Sequence, residues 1–304
     1  MANLPHIAVC ICTFRRHAYL GRLLDALATQ EIENLFTYSI VIADNDAARS
    51  AESIVNKFAN STSLQVTYCV QPTQNIALAR NDALAHARGD LIAFIDDDEV
   101  PISNWLLLLF QACEKCRADG VVGSVKPNFE VEPPSWVVKG RFCERETYKT
   151  GTVLKWPQGR TGNLLFKKEV LETLEPPFFR AEFLTAEDQD FFRRAIERGN
   201  AFVWCDEAVA YEEVSSVMWN RGFMLKRALL RGKISLQHPT SRLRAVLTSF
   251  VAVPLYAMVL PFSALFGKHV FTSYLIRSFD HIGRILGFLK IAPLPRTYVT
   301  ESRQ

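Results

Sequence analysis

The hydrophobic positions of the first 125 residues fall into blocks of two kinds. Residues 7–12, 38–43, 64–70, 91–95 and 120–125 form short, mostly apolar runs. Such runs predict strands buried on both faces, as in a parallel sheet. Between them, residues 19–29, 49–58, 76–87 and 105–117 predict helices, with Leu20, Leu23, Leu24 and Leu27 forming the clearest single-faced stripe. This strand–helix alternation predicts an α/β fold with a mostly parallel sheet flanked by helices.

After about residue 235 the pattern changes. Residues 245–267 carry no charge. As a helix, a segment of that length reaches about 34 Å, enough to cross a bilayer. Pro254 and Pro261 interrupt it, and basic residues flank both ends: Arg242 and Arg244 before, Lys268, Arg277, Arg284 and Lys290 after. A spanning helix would show charge asymmetry, so a re-entrant or interfacial hairpin is the preferred reading. Residues 269–291 place Leu275, Phe279, Ile282, Leu286 and Leu289 on one face, which suits an amphipathic helix lying in the membrane plane. The competing reading is a packed helical subdomain of a soluble protein.

Charge sharpens this division. The net charge is only +3, and nothing global points to nucleic acid. Residues 214–279 contain no Asp or Glu and nine Lys or Arg, so the rest of the chain is acidic. Seven cysteines are scattered without a disulfide framework. Cys113 and Cys116 form one C-x-x-C on a predicted helix, read as core packing, and a reducing compartment is expected. Arg15, Arg16 and His17 end the first apolar run early, so that run reads as a strand and not a signal peptide. Thr13-Phe14-Arg15-Arg16 stands where a glycine-rich phosphate loop would follow the first strand, which argues against a dinucleotide-binding Rossmann enzyme, a P-loop NTPase and a nucleotidyltransferase.

The candidate chemistry centres on Asp96-Asp97-Asp98-Glu99, which follows the fourth strand directly. In open α/β sheets the ligand crevice lies at the carboxyl ends of the strands. Four adjacent carboxylates repel one another unless a hard cation such as Mg²⁺ or Mn²⁺ sits among them. The plainer alternative is a solvated acidic turn, with Asp98 or Ser103 capping the next helix. Asp44 ends the second strand, where it suits a base N–H donor or, alternatively, an Asx-turn with Asn45. Glu187-Asp188 precedes a predicted helix over 191–198, and Thr185 to Asp188 has capping-box spacing. A carboxylate at a helix N-terminus is kept ionised and can act as a general base. Trp136 is read as a sugar-stacking residue or as core.

These motifs, in this order, resemble the family-2 glycosyltransferases of GT-A fold. The resemblance rests on the opening strand through Thr13 and Phe14 to Arg15, on Asp44, on Asn75 with Arg80-Asn81 and Gly89-Asp90, on Asp96-Asp97-Asp98, on Thr161-Gly162-Asn163 and on Glu187-Asp188. It spans roughly residues 6–235, and its wording is similar to bacterial exopolysaccharide glucosyltransferases of the succinoglycan type. The resemblance implies a nucleotide-diphospho-sugar transferase fold with a catalytic domain over 1–235, halved near residue 125, and a membrane-associating apolar tail over 236–304. It also implies an inverting transfer of a hexose from a nucleotide sugar, UDP-linked on the Asp44 argument, to a lipid-linked saccharide at the cytoplasmic face of the bacterial inner membrane.

The residue roles implied are Asp98 as main metal ligand, Asp96 on the ribose or metal, and Asp97 in support. Thr13, Phe14, Arg15, Asp44, Asn75 and Arg80 fall at the nucleotide, with Asn81 on the chain behind Arg80. Gly162 and Asn163 line the donor sugar, and Asp188 is the base with Glu187 second. Many relatives supply a late His as a further ligand, whereas this chain reads Tyr211-Glu212-Glu213-Val214, with no His until His238. A catalytically silent nucleotide-sugar-binding or scaffold protein is the alternative function, disfavoured by the intact acidic sets.

Overall fold

The computed structural model describes residues 4–183, 186–236 and 242–291. The chain divides into two compact units, Met1–Asn128 with Arg145–Glu213, and Phe129–Glu144 with Val214–Gln304. The boundary expected at 235 falls inside the second unit, at the end of a helix that packs within it.

The first half of the larger unit follows the apolar rhythm closely. Its elements are β1 (His6–Thr13), α1 (His17–Leu27), β2 (Thr37–Asp44), α2 (Glu52–Ser61), β3 (Val66–Val70), α3 (Ile76–His86), β4 (Leu91–Phe94), β5 (Glu99–Pro101), α4 (Trp105–Cys116) and β6 (Gly120–Phe129). In β1, Ile7, Val9 and Ile11 face the cluster built with α1 and α4, while Ala8 and Cys10 face α3. Burial of both faces is the physical reason these strands lack a polar alternate. After α5 (Ser135–Gly140), which belongs to the smaller unit, come β7 (Leu164–Lys167), α6 (Glu169–Glu172), α7 (Glu187–Glu197) and β8 (Phe202–Val214).

Among the described residues the sheet runs β3-β2-β1-β4-β7-β6-β8-β5. The β3-β2-β1-β4 half is parallel. The β4–β7, β6–β7 and β5–β8 pairings are antiparallel. The sheet is therefore mixed, with the parallel half formed by the strands that the apolar rhythm predicts. The acidic turn sits at the carboxyl end of β4, and β5 then carries the chain across to pair with β8, setting Glu99 opposite Glu212. Cys113 packs in the core as read, while Cys116 is exposed.

In the smaller unit, α8 (Arg221–Ile234), α9 (Arg242–Ser263) and α10 (Lys268–Phe288) form a helical layer with α5. α8 and α10 approach at backbone distance. A Cβ on Gly232 would lie 2.0 Å from the Asp280 carbonyl oxygen, and one on Gly283 would lie 2.2 Å from that of Leu229. Arg231 closes the pair with two hydrogen bonds to the Asp280 carboxylate, at 2.9 and 2.6 Å.

On its other side α10 meets α9, through Ser249 with His281 and through Tyr256 with Tyr274. With Leu275, Phe279, Ile282 and Leu286 half-buried, α10 is a packed helix and not the free in-plane helix expected. The exposed apolar stripe belongs to α9, where Leu243, Leu247, Phe250, Val251, Leu255, Met258 and Phe262 all face outward. Residues Arg242–Phe266 form the one helix among the described residues that is long and apolar enough to cross a membrane, with mean hydropathy 2.0 over its apolar window. Trp136 is not a free sugar platform. It packs on Phe142, with Lys268 Nζ 4.8 Å and the Arg221 guanidinium 5.8 Å from its ring centroid.

Candidate active site

Three guanidinium groups, of Arg80, Arg16 and Arg145, organise the acidic turn. Arg80, on α3, is buried and donates to Glu187 Oε1 through Nη1, while its Nη2 lies 3.5 Å from Asp96 Oδ1. One side chain thus joins the acidic turn to the first turn of α7. Asn81 fixes the chain behind it, donating to the Phe179 carbonyl at 2.6 Å and accepting from the Phe179 N–H at 2.9 Å. Arg16 Nη1 donates to Asp97 Oδ1 at 2.9 Å and to Asp98 Oδ2 at 2.8 Å. Arg145 lies 2.8 Å from Glu212 Oε1 and 3.7 Å from Glu99 Oε1. Arg15 is outermost and holds Asp46 at 2.8 Å. Sequence reading named neither Arg16 nor Arg145 as a site residue, since an arginine becomes a partner only when tertiary structure brings a carboxylate to it.

The carboxylates differ in how far these cations satisfy them. Asp97 is buried, accepts from Thr13 Oγ1 at 2.7 Å and pairs with Arg16. Asp98 also pairs with Arg16, yet burial and the neighbouring Asp97 push its carboxyl up to about 8. Glu99 is wholly inaccessible, and neither of its oxygens has a hydrogen-bond partner. Burial and Asp96 push it well above the usual carboxylate range. Asp96 is the most open, with its side chain 40 % exposed. Gly162 permits this crowding, because a Cβ there would lie 2.5 Å from Asp96 Oδ2 and 2.8 Å from Glu99 Oε1.

This donor set fits a hard divalent cation. It is all oxygen, it is under-neutralised, and it contains buried carboxylate atoms without partners. Glu212 is close enough to Asp98 to raise it further, whereas Glu213 is turned to Asn128 at 2.8 Å and Arg22 at 3.5 Å. His238 lies outside the described residues.

Glu187 and Asp188 lie in the first turn of α7, which starts four residues earlier than the apolar pattern implies. Thr185, the expected cap, lies outside the described residues, and the N-cap position is Ala186. Burial raises Glu187 to about 7 against the pull of Arg80. Burial also raises Asp188, again against Arg80. Asp188 remains partly accessible, with Oδ1 accepting from the Gln189 N–H at 2.7 Å. A partly accessible carboxylate of raised proton affinity, beside a buried one tied to Arg80, has the character of a general base.

Other expected residues are placed differently. Asn163, expected to line the donor sugar, has its side chain turned into the core. It is 1 % exposed, accepts from Trp105 Nε1 at 2.8 Å and donates to the carbonyls of Ser124 and Ala208 at 3.0 and 2.9 Å. Its polar groups are consumed inside the core. Asn75 caps α3, accepting from the Ala77 and Leu78 N–H groups. Asp44 is fully buried and accepts from the Asp46 and Ala51 N–H groups and from Tyr68 Oη, which is the Asx-turn of the alternative reading. Phe14 lies under the Arg15 guanidinium at 5.0 Å.

The sequence profile described as Glycosyl transferase family 2 matches residues 8–175, more than half of the chain. The succinoglycan biosynthesis protein ExoM of Rhizobium meliloti (strain 1021) is 29% identical over 234 residues, which cover 75% of this chain and 73% of that protein. The GalNAc(5)-diNAcBac-PP-undecaprenol beta-1,3-glucosyltransferase of Campylobacter jejuni is 25% identical over 113 residues, 36% of this chain and 34% of its own length. Among solved structures, S. aureus TarS 1-349 in complex with UDP-GlcNAc superposes with a TM-score of 0.53 at 19% identity, covering 78% of this chain and 68% of that one. At that identity the likeness shows the fold alone, a GT-A-like mixed sheet flanked by helices. The acidic turn, the Arg80 bridge and the α7 carboxylates all stand on that framework, and the chain belongs to glycosyl transferase family 2.

Proposed function

We propose that the chain is an inverting glycosyltransferase that moves a hexose from a UDP-sugar to a lipid-linked saccharide in bacterial surface polysaccharide synthesis. The observation that carries this reading is the Arg80 bridge, which joins Asp96 to the Glu187–Asp188 turn and supports a shared site for donor binding and proton acceptance. Asp188 takes the proton of the acceptor hydroxyl as its oxygen attacks the anomeric carbon, and the nucleoside diphosphate departs from the opposite face. Arg80 holds Glu187 and keeps α7 in register with the acidic turn. Asp98 and Asp96 would hold Mg²⁺ or Mn²⁺, which when bound stabilises the charge of the leaving diphosphate as a Lewis acid. The names of ExoM and of the Campylobacter undecaprenol-linked enzyme support the exopolysaccharide and lipid-linked acceptor readings. The UDP-GlcNAc complex of TarS supports the UDP donor.

The test is a screen of nucleotide sugars for donor hydrolysis with Mg²⁺ or Mn²⁺, followed by Asp188→Asn with the active donor. UDP-hexose turnover is expected, together with a 10²–10⁴-fold loss in Asp188→Asn at unchanged UDP affinity. Because burial raises Asp188, the acid limb of kcat/KM should lie above the ordinary aspartate range, with activity falling as pH drops through it. Wild-type turnover by Asp188→Asn would remove Asp188 as the base, and a screen without any active UDP-sugar would remove the donor reading.

We also propose that the smaller unit holds the enzyme at the cytoplasmic face of the inner membrane, as a peripheral or monotopic protein. α9 supplies the apolar stripe, and the acid-free stretch supplies cations for anionic lipid. Leu247, Phe250 and Val251 are exposed, and each is worth roughly 1.5–3 kcal/mol when fully inserted. Wild-type protein should sediment with inner-membrane vesicles and resist a high-salt wash, since screening weakens only the electrostatic part. Replacing all three with Glu should release it while donor hydrolysis persists. Equal sedimentation of both proteins would contradict the reading.

A further inference from the structure

A second cluster of metal-ligating side chains lies apart from the acidic turn. Cys69 on β3, with Asp82 and His86 on α3, bring one sulfur, one carboxylate oxygen and one imidazole nitrogen within 4.8 Å of one another. Asp82 and His86 are four residues apart, hence one turn apart on the same face of α3. His86 Nδ1 donates to the Asp82 carbonyl at 2.8 Å and lies 3.7 Å from Asp82 Oδ1, which leaves Nε2 as the unprotonated nitrogen of the neutral ring. The Cys69 thiol lies within 4.8 Å of the Asp82 carboxylate and donates to the Ile42 carbonyl at 3.5 Å. The three residues grade from buried Cys69 through half-buried Asp82 to exposed His86, so the cluster opens to solvent on one side only. Glycosyl transfer, as derived above, uses none of them.

From this geometry we infer that Cys69, Asp82 and His86 form a Zn²⁺ site with a water in the fourth position. The ligand chemistry selects the metal class. One thiolate, one imidazole and one carboxylate suit borderline-soft Zn²⁺, whereas Mg²⁺ and Mn²⁺ prefer the all-oxygen acidic turn. The distances fit as well. Ligands 2.0–2.3 Å from a tetrahedral zinc stand roughly 3.3–3.8 Å apart, so three groups within 4.8 Å of one another need shifts of about 1 Å, together with a turn of the His86 ring that presents an unprotonated nitrogen. Without metal, the thiol keeps its proton and donates it to the Ile42 carbonyl. On binding, Zn²⁺ takes the sulfur and the proton leaves to solvent.

The consequence follows from position. β3 is the terminal strand of the sheet, and α3 carries Arg80. Zinc would fasten the edge strand to the helix that bridges the acidic turn and α7. It is a structural clamp and takes no part in transfer.

The test uses full-length protein stripped with chelator and titrated with Co²⁺ as a spectroscopic substitute for Zn²⁺. One equivalent should give thiolate-to-cobalt charge-transfer absorption with the d–d bands of a four-coordinate site, and Zn²⁺ should bleach both. Cobalt held by carboxylates of the acidic turn gives no thiolate band, so Asp98→Asn should leave the signal unchanged. Cys12→Ser should also leave it unchanged, and Cys69→Ser should abolish it. Because Cys69 is buried, His86→Ala provides a surface variant that keeps the fold, and it should weaken Co²⁺ binding at least tenfold. Zn²⁺ should raise the thermal midpoint of wild type by several degrees and that of His86→Ala by less. Absence of a thiolate band at one equivalent, a band that survives Cys69→Ser, or His86→Ala binding like wild type would each overturn the site.

Discussion

The acidic turn at residues 96–99 and the Thr161-Gly162-Asn163 turn touch each other across Gly162, yet they use their polar groups in opposite ways. Asn163 is saturated: a ring N–H and two carbonyls consume its amide inside the core. The acidic turn is starved, with Glu99 lacking any hydrogen-bond donor and Asp98 raised to about 8 by burial and Asp97. Stability calls for the first condition, since buried polar groups are costly unless paired. The second condition is a standing cost, which a positively charged ligand would relieve. The two neighbouring turns can therefore be told apart by what each leaves unpaired: Asn163 leaves nothing, and the acidic turn leaves both oxygens of Glu99.

Asn163→Ala should produce the larger effect on stability. It leaves the Trp105 N–H and two buried carbonyls without partners, each costing about 1–3 kcal/mol. Asn163 also has φ 127°, a region that an Ala side chain rarely adopts. A loss on the order of 3 kcal/mol is expected by denaturant titration, with UDP affinity of the folded protein within about twofold of wild type. A stable variant with weakened UDP binding would reverse the comparison.

Asp98→Asn should move stability the other way and by less. A carboxyl whose folded pKa lies above its unfolded value binds its proton more tightly when folded. The metal-free protein should therefore lose stability as pH rises from about 4 to about 8, and the amide removes that loss. It also gives up the ion pair with Arg16, so the net gain at pH 8 is put at about 1 kcal/mol, or a rise of roughly 2–4 °C in Tm. A lower Tm at pH 8 would mean that the Arg16 pair dominates and the turn is not starved.

Much of the fold was legible because β1 to β4 are apolar on both faces, which leaves a simple mark in the sequence. β5 and β7, of three and four residues, carry too little pattern to read, and they make the sheet mixed. The acidic residues were legible as a site because the run itself is unusual. Their degree of satisfaction was not, since it depends on Arg16 and Arg145, which the fold brings from far along the chain. Motif position points Asn163 to the sugar, and position carries no information about burial. The apolar face of α10 suits either an in-plane surface helix or a packed subdomain, and the feature that decides for packing is Gly232 meeting Asp280 at backbone distance.

Calorimetry of UDP binding, with and without Mn²⁺, on wild type and Asp98→Asn tests most directly whether the acidic turn is a cation-dependent donor site. Mn²⁺ should strengthen UDP binding to wild type at least tenfold and have little effect on Asp98→Asn, because an amide cannot balance the charge of the cation. Equal Mn²⁺-dependent affinity in the two proteins would contradict the account.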